Sequence, residues 1–559
     1  MNKKRFLGLF AFVLISIAGV CAANNERGID LYRAGFYDAA KFFFLSNNNL
    51  TGEDLAENYY YLGQAYYELQ KTDSASYYFA KAIEVDANYA LGYVGNGLIA
   101  LSKGDIKEAD DIFKSAEKMS KKDASIPTAV AESYAAFNMY PQANDAIKRA
   151  KKANKKYIGA FLVEGDVLKA QDKLGEASRA YKNAEEMEPN NKLIKFKLAK
   201  LFQNANRTLS LEYLDKATEI DPDYIPAYAL MGDINRNQSK YSKALSAYEK
   251  IIDIPGLPLV QHERYAQLLY FTDQFEKSLS EINYVLSIDV NNVVMYRLRA
   301  YNSFKLENYE LGVQQMEEFF AKTPVDQYIY LDYVTYGRLL LKVKRQEDAI
   351  AAFEKAAALD TAKAEVYKEM ATAYEGLRDY TKAVEQYKKY FELEENTSIF
   401  DYYTYGRDNY YAASKYLTPD YLQATRTPEE TAKGNEEFAT FVRQGVEAFD
   451  TVIERDSNSH LGYLWKGHIL SFLDLIAQTE GAEITGEALA PYNIALEKML
   501  ADNENGKRNS DILMIYRYTA SFYFAQKDYP KAIESYNKVL EIAPNDQDVR
   551  DVVEYLKTL

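Results

Sequence analysis

Small and aromatic residues return along most of the chain at an interval of about 34 residues. In one stretch Tyr59, Leu62, Gly63 and Tyr66 fall on one helical face, and Ala75, Phe79 and Ala82 fall on a second. The next interval repeats the set as Tyr93, Gly97, Ala100, Ala109, Phe113 and Ala116, then as Ala131, Tyr134, Ala143, Ile147 and Ala150. A further step gives Phe161, Gly165, Leu168, Ala177, Tyr181, Ala184 and Pro189. Spacings of three and four within each set predict helices. A proline such as Pro189 or Pro222 cannot continue a helix and marks the turn into the next interval. The same register runs through Tyr228, Gly232 and Tyr248, through Ala266, Phe275 and Ser278, and through Tyr333, Gly337 and Phe353, and it ends with Tyr516, Ala520, Tyr536 and Pro544.

On these residues the chain resembles the tetratricopeptide-repeat family over residues 24–546, in about 14 units. The resemblance implies an all-α fold: a right-handed superhelical solenoid of antiparallel helix pairs. Gly or Ala at the eighth position and Ala at the twentieth would let the two helices of a pair approach, with aromatics filling the gaps beside them. The expected organisation is units 1–11 over 23–397, units 12–14 over 398–546, and a capping helix over 547–559. Two of the later units are interrupted, at 412–437 and 474–486. Within the first interruption Thr427-Pro428-Glu429-Glu430 has the form of a helix start, with Thr as cap and Glu three residues on. Insertions in repeats map to loops, either tolerated or part of a binding face.

Composition narrows the function. The 559 residues carry 67 Lys and Arg against 82 Asp and Glu, a formal charge of −15, which argues against nucleic acid as a partner. With 26 glycines and 13 prolines the chain is poor in the turns that β-sandwiches need, whereas its 50 tyrosines suit half-buried positions between helices. Lys3, Lys4 and Arg5 precede an apolar run from Phe6 to Val20, and Cys21-Ala22 follows. That order predicts an export signal over 1–22, cleaved after Ala22. The alternatives are an uncleaved membrane tether or a lipid on Cys21. Cleavage would remove the only cysteine, and with it any disulfide or thiolate chemistry.

Candidate chemistry is sparse. His262, His460 and His468 are not grouped with cysteine or arranged as His-Glu-x-x-His, so no metal site and no cofactor are expected. Phosphate-loop and nucleophile-elbow motifs are missing, and an enzyme is not expected. What remains is the concave groove. The family resemblance assigns positions 2, 5, 9 and 12 of each first helix to it, and in the later units these are Arg297, Tyr301, Arg338, Tyr403, Arg407, Tyr410, His468 and Arg517. Arginine beside tyrosine is the composition of binding hot spots. These guanidinium groups would either grip an acidic protein segment or pair with neighbouring Asp and Glu. The expected function is a non-catalytic protein-binding scaffold in the bacterial periplasm, acting with proteins or peptides or within a membrane-associated envelope complex. A chaperone-like holder of exported chains and a glycan or cell-wall binder are the alternatives.

Overall fold

The structure is a computed structural model, and it describes residues 25–559; the export signal predicted over 1–22 lies outside the described residues. The described residues contain helices and turns and no strand. Consecutive helices are joined by short turns and pack as antiparallel pairs, for example Gly52–Glu68 with Thr72–Val85 and Ile158–Ala170 with Leu174–Met187. The described residues form two compact units, one ending at 302 and the other spanning 303–559, a division that the repeat pattern does not mark.

Small residues set the closeness of each pair. Ala75, Ala82, Ala109, Ala116, Ala143 and Ala150 on the second helices are 0% exposed. At the eighth position a Cβ added to Gly63 would lie 2.6 Å from the Phe79 ring, and one added to Gly97, Gly165, Gly232 or Gly337 would come closer still to Phe113, Tyr181, Tyr248 or Phe353. Each glycine thus makes room for the ring sixteen residues later. Where serine replaces alanine at the twentieth position, its hydroxyl donates to a first-helix carbonyl: Ser210 Oγ to Ala199 O at 2.7 Å and Ser278 Oγ to Ala266 O at 2.8 Å. That bond satisfies a polar group at full burial and keeps the small volume.

In nine of the pairs the turn between the two helices is closed by one non-glycine residue in the left-handed region. Gln70, Asn138, Asp172, Ser239, Asp273, Glu307, Lys344, Arg378 and Lys527 all have φ between 56° and 61°. Both interruptions enter at this turn. The first lengthens a first helix to Ser414, adds a short helix Pro419–Gln423, and starts a long second helix, Pro428–Arg455. Thr427 and Glu430 form a capping box there, with both reciprocal bonds in place. The second interruption lengthens Leu461–Glu480. Asp474 then holds the returning chain by accepting from the backbone N–H groups of Thr485 (2.9 Å) and Gly486 (3.0 Å). The glycine-to-ring contact survives both insertions, as Gly406 against Phe449 and Gly467 against Tyr492. At the end of the second unit the helix Gln547–Leu556 buries Val549, Val553 and Leu556.

Candidate functional site

In the second unit the first helices bring part of the predicted set together. Tyr403 and Tyr410 on Ile399–Ser414 meet Trp465 and His468 on Leu461–Glu480: ring centroids are 6.1 Å apart for Tyr403–Trp465, 5.4 Å for Tyr410–Trp465 and 5.2 Å for Trp465–His468. Tyr410 also stacks on Phe472 at 4.6 Å. Trp465, the centre of this cluster, stands at the sixth position of its repeat, outside positions 2, 5, 9 and 12.

His468 has a definite partner. Its Nδ1 lies 2.9 Å from the Tyr492 hydroxyl, and burial holds its pKa down at about 4, so the ring is neutral and Nδ1 accepts. Two repeats of the first unit use the same position in the same way. The Tyr181 hydroxyl donates to Asp166 at 2.7 Å and the Tyr248 hydroxyl to Asp233 at 2.8 Å. Where the ring facing the glycine is tyrosine rather than phenylalanine, position 9 supplies its acceptor in these three repeats.

The arginines of the second unit already hold carboxylates. Arg338 donates to Glu369 and Glu365, each at 2.7 Å. Arg517 bonds Asp546. Arg407 reaches Glu375 at 3.4 Å, beside Asp408, whose carboxyl is pushed far up by burial and by the facing Glu375 carboxylate. Arg338 belongs to a ladder. Position 9 of one repeat pairs with the residue 31 further on, at position 6 of the next: Asp166 with Lys197 at 2.5 Å, Asp233 with Arg264 at 2.9 Å, and Arg338 with Glu369. These rungs tie successive first helices together. The remaining two predicted residues lie in the first unit. Arg297 is half-buried on Val293–Lys305, and Tyr301 is 7% exposed with its ring 6.5 Å from Tyr270.

The first unit contains a feature that the sequence reasoning did not single out. Its opening hairpin, helix 25–34 with Tyr37–Leu45, packs Leu31, Phe36 and Phe43 into one core with Ile225, Leu245, Tyr248 and Leu257, so the array closes on its own seventh pair. Lys192 clasps the closure, 2.7 Å from Asp30 and 2.7 Å from Asp221. Burial alone would lower the Lys192 pKa, but hydrogen bonds to Asp221 and Asp30 raise it overall, so the ammonium stays charged. The ring of first helices encloses a lumen of about 1170 Å³. Tyr32, Tyr60 and Tyr61 line it, with centroids 5.8 Å apart for Tyr32–Tyr61 and 5.2 Å for Tyr60–Tyr61. Of its charged lining residues, eight are acidic and three basic. The three bases are engaged: Lys192 in the clasp, Lys197 on Asp166, and Arg33 on the Tyr61 hydroxyl at 3.3 Å. Burial raises the carboxyls of Asp30, Glu57, Glu68 and Glu132 above the usual range, against the pull of Arg33 and Lys197 at Glu132. Applied to the earliest repeats, the position rule finds this surface: Ile29 and Tyr32, Glu57 and Tyr60, and Glu132 all fall on its positions.

Among the described residues no group of three or more His, Cys, Asp or Glu is placed to hold a metal, and no helix is long and apolar enough to cross a membrane. Sequence models of the tetratricopeptide repeat match residues 56–89, 333–363 and 364–397, and another matches 514–546. The TPR repeat-containing protein MJ1428 of Methanocaldococcus jannaschii is 24% identical over 378 residues, 66% of this chain and 63% of that protein, so the chain spans less than two thirds of this curated relative. Among solved structures, the C-terminal part of a TPR repeat-containing protein from Cytophaga hutchinsonii is 20% identical, covering 52% of this chain and 98% of its own, with a TM-score of 0.38. A tetratricopeptide repeat protein from Parabacteroides merdae is 19% identical, covering 45% and 98%, with a TM-score of 0.29. Proteins built of such repeats generally mediate protein–protein interaction. This chain carries tetratricopeptide repeats in both of its units.

Proposed function

We propose that the protein is a non-catalytic scaffold that holds segments of other proteins against the inner faces of its first helices, and that it works in the bacterial cell envelope after export. The observation that carries the binding proposal is the lumen of the first unit. At about 1170 Å³ it exceeds the roughly 300–1,000 Å³ usual for small-molecule sites. Tyrosines, charged groups and aliphatic side chains such as Leu91, Leu98 and Leu162 line it together. Export rests on the order of Lys3 to Ala22 and predicts a mature chain beginning at Ala23 by N-terminal sequencing.

An acidic segment lying along Arg338, Arg407 and Arg517 would have to displace Glu369, Glu375 and Asp546 from them. Inner-face binding is therefore expected to depend more on the first unit than on these arginines. The test is affinity capture with the full chain from envelope extracts, comparing Glu57→Gln/Glu132→Gln with Arg407→Ala. Loss of captured proteins with the first variant and retention with the second is the expected result. Retention by both would place the binding surface elsewhere. Capture of saccharide rather than protein would favour the glycan alternative.

A further inference from the structure

We infer that the lumen of the first unit receives an extended polypeptide segment rich in lysine or arginine. This rests on the scaffold function proposed above and specifies its guest.

The argument begins with a broken rung. Asp166 and Asp233, at position 9, each meet a cation 31 residues later. Glu132 also stands at position 9, but the corresponding residue is Val163, which is 4% exposed and apolar. Glu132 has no ion pair among the described residues; its carboxylate is open to solvent inside the lumen while protein surrounds it. A carboxylate in such a place keeps a field that bulk water would otherwise screen. Glu57 faces the same space, and so does Asp54.

A second observation is independent of the acidic groups. Asn25 is 7% exposed and lines the lumen. Its Nδ2 donates to Glu57 at 3.1 Å, while its Oδ1 has no hydrogen-bond partner. Buried carbonyl oxygens are rarely left so. A rotation of the Asn25 amide would turn this oxygen toward the lumen, where an N–H donor or an ammonium group of a guest would satisfy it.

The tyrosines suit the same guest. Tyr32 and Tyr61 border the lumen, and Arg33 lies over the Tyr61 ring, 5.9 Å from its centroid, so an aliphatic stem and a cationic head already find a place among these rings. Lysine and arginine side chains combine an apolar stem with a cationic head, so one residue type can use ring, carboxylate and amide oxygen together. The acceptors are spread over helix 25–34, Gly52–Glu68 and Ser125–Ala136, so the guest must be extended to reach them all.

The test titrates the full chain with fluorescein-labelled (Lys-Gly)6, with (Glu-Gly)6 and (Ser-Gly)6 as comparators and spermidine as competitor. Glu57→Gln/Glu132→Gln is expected to weaken (Lys-Gly)6 by about tenfold or more, the equivalent of one lost charged contact. The exposed second-helix pair Glu108→Gln/Glu186→Gln makes the same charge change outside the lumen and is expected to weaken it by less than about twofold. Melting curves check that both variants fold, and Glu132→Lys supplies a second route: it should lose (Lys-Gly)6 and gain (Glu-Gly)6. Equal weakening by the two glutamate pairs would overturn the inference, because the attraction would then belong to the acidic surface as a whole. Full displacement of the peptide by equimolar spermidine would also overturn it, in favour of a small polyamine. Binding of (Glu-Gly)6 in place of (Lys-Gly)6 by the unaltered chain would sink the choice of guest and leave the scaffold proposal standing.

Discussion

Glu132 in the first unit and Arg338 in the second occupy the same place in the repeat and have opposite fates. Arg338 meets Glu369 and Glu365 and becomes a tie between helices. Glu132 meets Val163 and is left facing the lumen. Between these two residues the difference is made by the partner 31 positions later, Glu369 for Arg338 and Val163 for Glu132. The wider surroundings differ in the same sense. In the second unit Tyr403, Tyr410 and His468 lie against Trp465 and Phe472. In the first, Tyr32 and Tyr61 border an open space of about 1170 Å³.

The sharpest way to probe the comparison is to disturb a feature that both units share. Gly165→Leu in a regular repeat and Gly406→Leu in an interrupted one each drive a side chain into a ring, Tyr181 or Phe449. Each should cost about 1–3 kcal/mol or somewhat more, measured by denaturant unfolding. A large loss for Gly165→Leu alone would mean that the insertion at 412–437 has loosened its pair.

Acid separates the units next. His468 titrates near 4 in the folded chain and near 6.5 unfolded, so between these values the unfolded chain binds the extra proton. The His468 contribution to the second unit's stability should fall as pH drops through that window, by up to about 3 kcal/mol, while the raised carboxyl of Asp408 contributes in the opposite sense. His468→Gln should remove this contribution and leave the smaller one of His460, whose pKa burial and Arg508 also lower. Asp166 and Asp233, which accept the equivalent tyrosine hydroxyls in the first unit, supply no imidazole and so no such window. An unchanged pH profile for His468→Gln would mean that the Tyr492 contact does not hold the ring neutral.

The smallest effect tests the ladder. Arg338→Ala removes a tie that is 30% exposed at the arginine, so it should cost no more than about 1 kcal/mol of stability. It should also leave (Lys-Gly)6 affinity unchanged. A fall in that affinity would contradict the assignment of Arg338 to structure.

Much of this was legible in the sequence. Gly63, Gly97 and Gly165, their rings sixteen residues on, and the buried alanines announced paired helices, and the capping box at Thr427 and Glu430 was readable from four residues. Three things were not. The left-handed turn falls on Gln70, Ser239, Lys344 and Arg378, residues with no preference for that region, which is imposed by the helices on either side. The ion pairs need a matched residue about 31 or 32 positions away and side chains long enough to meet, so the sequence left open whether Arg338 and Arg407 pair with neighbouring carboxylates or grip a partner. The closure of helix 25–34 and Tyr37–Leu45 onto Ile225, Leu245 and Leu257 accumulates over seven pairs and leaves no local pattern. Positions 2, 5, 9 and 12 of the first repeats include Glu57, Tyr60 and Glu132 of the lumen but not Tyr61. The position rule was applied only to the later repeats, and so it passed over Glu57, Tyr60 and Glu132.

Hydrogen exchange on the full chain with and without (Lys-Gly)6 tests the central claim most directly, because it reports every first helix at once. The account predicts added protection in helix 25–34, Gly52–Glu68 and Ser125–Ala136, with Tyr330–Lys342 and Ile399–Ser414 unchanged. Protection confined to Tyr330–Lys342, Ile399–Ser414 and Leu461–Glu480 would contradict it and return the binding surface to Arg338, Arg407 and His468.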